Sequence, residues 1–134
     1  MALEHGIILS KDGELFKKLE LIRRENELAL DRNIICRLGF MKSLDEPGEP
    51  AWEEFKDSFS TEGKSDSFPI KKDVLTGKYH NIFVALLKQR IFEDSEAPIT
   101  EDVMDQKFKA HIARGVIRLV PARARKTSFL DKLL

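Results

Sequence analysis

Residues 6–44 read GIILSKDGELFKKLELIRRENELALDRNIICRLGFMKSL, and this stretch indicates the fold class. The run Gly6–Leu9 is short, apolar and partly β-branched, which predicts a brief strand. Apolar residues then recur at helical spacing in two groups, which predicts two helices separated just after Glu25. The two groups are Leu15, Phe16, Leu19 and Ile22, and then Ile34, Ile35, Leu38, Met41 and Leu44. The first third of the chain is therefore expected to fold as strand, helix, helix.

The order strand, helix, helix is typical of ribbon-helix-helix modules. A lone strand cannot satisfy its own backbone hydrogen bonds, and in such modules it pairs with the same strand of a second chain. Apolar faces on all the predicted helices also exceed what one small core needs. We therefore expect a homo-oligomer, a tetramer, whose symmetric interface involves the first two helices.

Two further helices are predicted in the second half of the chain. Gly77 precedes a broad apolar pattern over Lys78–Phe92, which predicts a central core helix. Thr100 is a suitable N-cap for another helix, and Gly115 is expected to mark its end. The fold class expected from the sequence is mainly α, ribbon-helix-helix-like, with a short N-terminal strand and four or more helices.

The domain organisation follows from where loop-forming residues cluster. Residues 45–70 are rich in proline, serine and acidic side chains, which predicts an irregular acidic loop that its aromatic residues pin down. We expect one helical domain over residues 1–120 that contains this loop, followed by a basic tail over residues 121–134.

Charge is balanced overall but uneven along the chain. Lys plus Arg and Asp plus Glu both number 23, so the net charge is zero. This balance argues against a protein that coats nucleic acid by bulk charge. Residues 44–66 hold eight acidic and two basic side chains, whereas residues 103–134 hold eight basic and two acidic ones. The asymmetry is compatible with one directed basic face.

Residues that carry enzyme chemistry are sparse. Cys36 is the only cysteine, so a disulfide within the chain is impossible, and we expect a reducing cytoplasm. No stretch approaches the length of a membrane span. The three histidines lack a metal-ligand spacing, and His111 is expected to be partly buried and hydrogen-bonded. Leu75–Lys78 lacks the first glycine of a phosphate loop. We expect no cofactor, no metal and no catalytic activity.

Basic side chains near the C-terminus, joined by two lysines of the first helix, form a candidate phosphate-contacting strip. Its members are Lys17, Lys18, Arg114, Arg118, Arg123, Arg125 and Lys126. The alternative is a solvated helix end whose cations complement the helix dipole. The acidic segment over 45–62 would neutralise the strip if it lay against it. The strand offers few polar donors on either face, which favours backbone binding without strong base readout.

Four groups of residues together resemble the DNA sulfur modification protein family DndE. They are Leu9-Ser10; Asn33-Ile34-Ile35-Cys36-Arg37 with Ser43-Leu44; Leu75-Thr76-Gly77-Lys78-Tyr79 with Phe83 and Ala85-Leu86-Leu87-Lys88-Gln89-Arg90; and His111-Ile112 with Arg114-Gly115. The resemblance implies a part in replacing a non-bridging oxygen of the DNA phosphate with sulfur. It further implies a tetrameric protein that binds double-stranded DNA, with a bias towards nicked duplex, and that works with the other proteins of the complex. The alternative is a non-catalytic scaffold for the sulfur-transfer enzymes.

Overall fold

The computed structural model describes residues 6–25, 31–61, 63–94 and 100–119. Over these residues the chain is mainly helical, as the sequence predicts, with a small two-stranded sheet. The strands are β1 (Ile7–Ser10) and β2 (Ser67–Ile70). The helices are α1 (Glu14–Glu25), α2 (Arg32–Leu44), α3 (Trp52–Phe55), α4 (Lys72–Leu75), α5 (His80–Asp94) and α6 (Glu101–Arg118), with 3₁₀ turns at Lys56–Ser58 and Gly77–Tyr79.

The predicted N-terminal strand is confirmed, but its partners lie in the same chain. β1 pairs antiparallel with β2, with Ile7 opposite Ile70. On its other edge, Leu9 forms a bridge with Phe59, and the Ser60 N–H donates to the carbonyl of Ile8. Both edges of β1 are therefore occupied, and the need for a second chain to complete the strand falls away. The sequence analysis placed residues 67–70 inside the irregular loop because Pro69 interrupts the alternating pattern of a strand. Proline is tolerated in a strand only at the edge of a sheet, and β2 is such an edge strand.

The core is centred on a close crossing of α2 and α6. Both helices have a glycine at the crossing, and a Cβ built on Gly115 would lie 1.6 Å from the carbonyl oxygen of Gly39. Around it pack buried side chains of α1, α2 and α6, namely Leu15, Leu19, Ile22, Ile35, Cys36, Phe40, Phe108, Ile112 and Val116. The sequence predicted that Gly115 ends its helix; instead α6 continues to Arg118, because the glycine serves helix contact rather than termination.

α5 lies at the edge of the fold rather than at its centre. This corrects the sequence prediction of a central core helix over Lys78–Phe92. Among the side chains of this helix that the structure describes, Leu87 and Ile91 are the buried ones, whereas Ile82 and Phe92 are exposed. The apolar pattern that suggested a core helix therefore includes side chains that the fold leaves at the surface. Within the described residues, no helix combines the length and the apolar character that a membrane crossing requires.

Candidate nucleic-acid interface

Arg114, a member of the predicted basic strip, is buried inside the protein. Only 5% of it is exposed. Its Nε donates to the hydroxyl of Ser43 at 2.8 Å, and its two terminal nitrogens donate to the carbonyls of Ser43 at 2.7 Å and Gly48 at 3.0 Å. Burial lowers the pKa of the guanidinium below its usual value. These bonds tie α6 to the end of α2, so this placement gives Arg114 a structural role and does not present it to a phosphate.

Arg118 lies one turn further along α6, and 54% of its side chain is exposed. It pairs with Glu46 at the start of the acidic segment. Glu46 also lies 3.8 Å from the ammonium of Lys42 and 3.6 Å from Arg114. The acidic segment therefore pairs with the α6 part of the basic strip, Arg114 and Arg118, which is the arrangement that neutralises it.

A second carboxylate, that of Glu49, contacts three cationic or polar side chains. Its oxygens lie 3.0 Å from Arg90 Nε, 3.4 Å from Lys107 Nζ and 3.1 Å from His111 Nε2. Arg90 in turn donates to the carbonyls of Leu44, Glu46 and Gly48, at 2.6, 2.6 and 2.7 Å. Helix α2 leaves carbonyls unpaired at its C-terminus, and Arg90 satisfies one of them. The network fixes residues 44–49 against α5 and α6.

Ser43, His111 and Glu49 form a hydrogen-bonded chain like that of a catalytic triad. Ser43 Oγ lies 2.8 Å from His111 Nδ1, and His111 Nε2 lies 3.1 Å from Glu49. Ser43 Oγ also accepts from Arg114 Nε at 2.8 Å, so the hydroxyl joins the imidazole to the guanidinium. Ser43 and His111 are both fully buried, so no substrate reaches the hydroxyl. The prediction that His111 is hydrogen-bonded is confirmed. The hydrogen bonds of Ser43, His111 and Glu49 join α2 and α6 to the acidic segment and so have a structural role.

The remaining members of the predicted strip lie on α1 or in the C-terminal tail. Lys17 is exposed and Lys18 half-buried on α1. The other three, Arg123, Arg125 and Lys126, lie outside the residues that the structure describes. Over the residues that the structure describes, no group of three His, Cys, Asp or Glu side chains is placed to hold a metal ion.

The structure instead forms a cationic groove that the sequence did not predict. It has a volume of about 430 Å³ and lies between the α1–α2 pair and the β2–α4 segment. Its lining contains three cationic side chains and one acidic side chain. The lining residues are Arg23, Asp31, Arg32, Asn33, Phe68, Pro69, Ile70, Lys71 and Val74. The contributing segments are about 40 residues apart in sequence, so spacing along the chain could not reveal them.

Arg32 is held in this groove by an aromatic ring and by an ion pair. Its guanidinium carbon lies 4.6 Å from the ring centroid of Phe68, and its Nε donates to Glu20 at 2.6 Å. Phe68 is itself packed on Phe16, with centroids 5.1 Å apart. Stacking and the ion pair fix the plane of the guanidinium at the groove, which lowers the entropy that a phosphate contact would cost.

Two of the residue groups named in the sequence analysis, 33–37 and 75–79, lie in contact beside the groove. Asn33 Nδ2 donates to the carbonyl of Val74 at 3.0 Å. Arg37 donates from Nε to the carbonyl of Leu75 at 2.5 Å and from a terminal nitrogen to Val74 at 2.8 Å. These bonds cap the short helix α4 with side chains of α2. The groups 33–37 and 75–79 are thus linked for structural reasons.

Comparison with known proteins gives one match over most of the chain. A family model described as "DNA sulphur modification protein DndE" matches residues 9–127. No curated protein matches the chain.

Proposed function

Since the chain belongs to the DndE family and so takes part in DNA sulfur modification, we propose that it is the subunit of this machinery that binds DNA. It binds the phosphate backbone of duplex DNA, nicked duplex included, without strong base readout. It acts in the cytoplasm, as a homotetramer and together with the other proteins of the complex. It supplies binding and positioning rather than catalysis.

One observation carries the proposal: a groove in which Arg23, Arg32 and Lys71 face a single acid, Asp31. Arginine and lysine side chains supply most protein contacts to phosphate oxygens, and Asn33 adds an amide donor to the same lining. Glu20 pairs with Arg23 at 3.4 Å and Arg32 at 2.6 Å. These pairs are partly exposed, so a phosphate can compete for the same guanidinium groups at modest cost.

The position of β1 supports the proposed lack of base readout. Ribbon-helix-helix modules read bases with the side chains of a strand placed in the major groove. Here Ile7 and Leu9 are buried in the core, and both edges of β1 are paired. The strand thus has no polar face with which to reach base edges.

The groove is one part of the proposed DNA surface. The remaining cations of the predicted strip supply additional phosphate contacts, and these are Lys17, Lys18, Arg118, Arg123, Arg125 and Lys126. Arg114 is left out because its donors are taken up by Ser43 and Gly48.

Fluorescence anisotropy with one labelled duplex, prepared intact and with a single nick, tests the proposal. The parent protein should bind both forms with an affinity that falls as salt rises, since phosphate contacts release counterions. A groove variant carrying Arg23→Gln, Arg32→Gln and Lys71→Gln should lower the slope of log affinity against log salt. The expected decrease is about 0.9 for each phosphate that the variant no longer neutralises. Unrelated duplexes should be affected equally.

Two matched variants accompany this measurement. Gln at positions 123, 125 and 126 isolates the contribution of the tail. Lys64→Gln with Lys88→Gln removes two exposed lysines outside the groove lining and should leave the slope at the parental value. A parent protein that bound no duplex would overturn the proposed DNA binding. A groove variant with the parental slope would show that the phosphates lie elsewhere.

A second candidate is a scaffold that holds the sulfur-transfer enzymes and scarcely touches DNA. The pairing of Arg118 with Glu46, and of Lys107 with Glu49, favours it, because the acidic segment covers the α6 cations. Size-exclusion chromatography with the purified enzymes of the same system, without DNA, tests this role. Co-elution of the enzymes with a chain that fails to bind either duplex would select the scaffold.

A further inference from the structure

The cationic groove is larger and more apolar than a contact with one phosphate requires. Its volume of about 430 Å³ lies in the range of about 300–1,000 Å³ that is typical of sites for small organic molecules, and a single phosphate group fills only a small part of it. Four of its nine lining residues are apolar, namely Phe68, Pro69, Ile70 and Val74. A regular duplex presents phosphates and sugars to a protein and keeps the faces of its bases stacked inside. The apolar part of the groove is therefore suited to something that a regular duplex does not present.

The apolar residues of the groove that solvent reaches come from the β2–α4 segment. Pro69 is exposed, Phe68 is half-buried, and 50% of Val74 is exposed. We call these three side chains the apolar wall. A ligand with an apolar face that covered the wall would remove its surface from water, which stabilises the complex.

The cations of the groove lie directly beside the apolar wall. Lys71 follows β2 in the chain and is exposed, while Arg23 and Arg32 line the groove from α1 and α2. The guanidinium of Arg32 lies 4.6 Å from the ring centroid of Phe68, so the cationic and apolar parts touch at this pair. Proteins that bind single-stranded nucleic acid combine the same two features, a cationic groove for the backbone and rings against which the bases pack. Unstacked bases also pack on the planes of arginine guanidinium groups.

We infer that the groove holds one unpaired nucleotide of a DNA strand, with its phosphate at Arg23, Arg32 and Lys71 and its base against the apolar wall. This inference rests on the DNA binding proposed above and names the unit of DNA that the groove takes. The contact is with the face of the base rather than its hydrogen-bonding edge, so it carries no sequence readout.

Fluorescence anisotropy with three forms of one labelled duplex tests the inference. The first form has a nick, the second has one unpaired 5′-nucleotide at that nick, and the third replaces the unpaired nucleotide by an abasic analogue with the same phosphate. The parent protein should bind the unpaired nucleotide about fivefold more tightly than its abasic analogue, at the lower end of what a base contact contributes in single-strand binding. The two forms carry the same number of phosphates, so both affinities should fall as salt rises while their ratio stays constant.

A variant of the apolar wall separates the base contact from the phosphate contacts. Pro69→Ser with Val74→Ser makes the wall polar at two exposed positions and leaves all three cations in place. The preference for the unpaired nucleotide over its abasic analogue should disappear, while the slope of log affinity against log salt stays parental. Far-ultraviolet circular dichroism verifies that the variant is folded. Ile82→Ser is the matched control, since it makes the same kind of change at a position that is 58% exposed and does not line the groove, and it should keep the parental preference.

Photo-cross-linking tests where the base lies. With 5-iododeoxyuridine as the unpaired nucleotide, irradiation should link the DNA to the peptide that contains residues 67–74, which includes the aromatic ring of Phe68. The same base at a paired position of the duplex should not give this product. An unpaired base that linked to another segment of the chain would overturn the proposed location.

The outcomes separate this inference from the proposed function. A parent protein that bound none of the three duplexes would refute both. A parent that bound the nicked duplex in a salt-dependent way, and the unpaired nucleotide no better than its abasic analogue, would refute the inference alone. Displacement of the DNA by micromolar thymidine monophosphate would assign the groove to a free nucleotide and overturn its assignment to a DNA strand. A preference that the wall variant loses, together with the cross-link to residues 67–74, would establish the inference.

Discussion

Gly115→Ala is the substitution with the clearest physical consequence in this fold. The added Cβ would lie 1.6 Å from the carbonyl oxygen of Gly39 and 2.8 Å from its Cα. Both contacts are with backbone, so no side chain can rotate away to relieve them. To restore an ordinary separation, α2 and α6 would have to move apart by about 1.5–2 Å at their crossing.

The expected loss of stability can be estimated from two opposing terms. Ordinary overpacking of a core costs about 1–3 kcal/mol, and a backbone-to-backbone clash between two central helices should exceed that, at about 4 kcal/mol. Replacing glycine by alanine inside a helix offsets about 1 kcal/mol. The net loss of about 3 kcal/mol is a large fraction of the roughly 5–15 kcal/mol typical of domains. It corresponds to a Tm lower by about 10 °C.

Thermal and urea unfolding followed by circular dichroism measure this loss. Gly63→Ala is the matched control, since a Cβ there meets no atom within 4 Å and the positive φ of 89° is the only cost. That control should lose about 1 kcal/mol. Gly39→Ala should fall between the two, because its nearest contact is a side-chain carbon of Val116 at 2.4 Å. A Gly115→Ala protein with the parental Tm would refute the close crossing.

Three further predictions concern buried and hydrogen-bonded groups. Arg114→Met should lower the free energy of unfolding by about 3 kcal/mol, since it removes three hydrogen bonds that the buried guanidinium donates to Ser43 and Gly48, whereas the exposed Arg118→Met should change it by less than about 1 kcal/mol; equal effects in urea titrations would contradict the burial of Arg114. Burial raises the pKa of the Cys36 thiol to about 12, so a thiol reagent at mildly alkaline pH should react only as fast as the protein unfolds, and rapid labelling of the native chain would contradict this. The hydroxyl of Ser10, helped by that of Ser60, lowers the pKa of Asp66; the stabilisation is complete above the unfolded pKa of about 3.9 and is lost as pH falls through the lower folded pKa. Unfolding midpoints measured below pH 5 should therefore fall less steeply in Asp66→Asn than in the parent, and identical slopes would exclude the linkage.

Local patterns in the sequence were sufficient for the elements whose residues interact with near neighbours. The β-branched run before Ser10 predicts β1, and the Thr100 side chain caps α6 by accepting from the Val103 N–H at 3.2 Å. The apolar spacing also predicts the face of α1 that enters the core. On α2 the prediction was wrong in part, because Ile35, Cys36 and Phe40 are the buried apolar side chains and Met41 is exposed. These features depend on backbone preferences and on periodicities of a few residues, and such information is present in any short window.

The candidate site could not be predicted in the same way. Nothing in the local sequence distinguishes Arg114, which is buried against Ser43, from Arg118, which reaches the surface four residues later. Basic residues at helical spacing predict a shared face, but the acidic segment that neutralises this face folds back from positions 46 and 49. The groove lining is equally non-local, since Arg32 and Lys71 come from separate elements.

The order of residues was enough to identify this protein as a small, mainly helical member of its family, with an N-terminal strand and a histidine held by hydrogen bonds. The folded arrangement was needed to show that β1 pairs within the chain, that α5 lies at the edge, and that the α6 cations are paired. The physical reason is that each of these outcomes depends on a contact between segments that lie far apart in the sequence. The close contact of Gly39 with Gly115 is another such outcome, since the two residues are 76 positions apart.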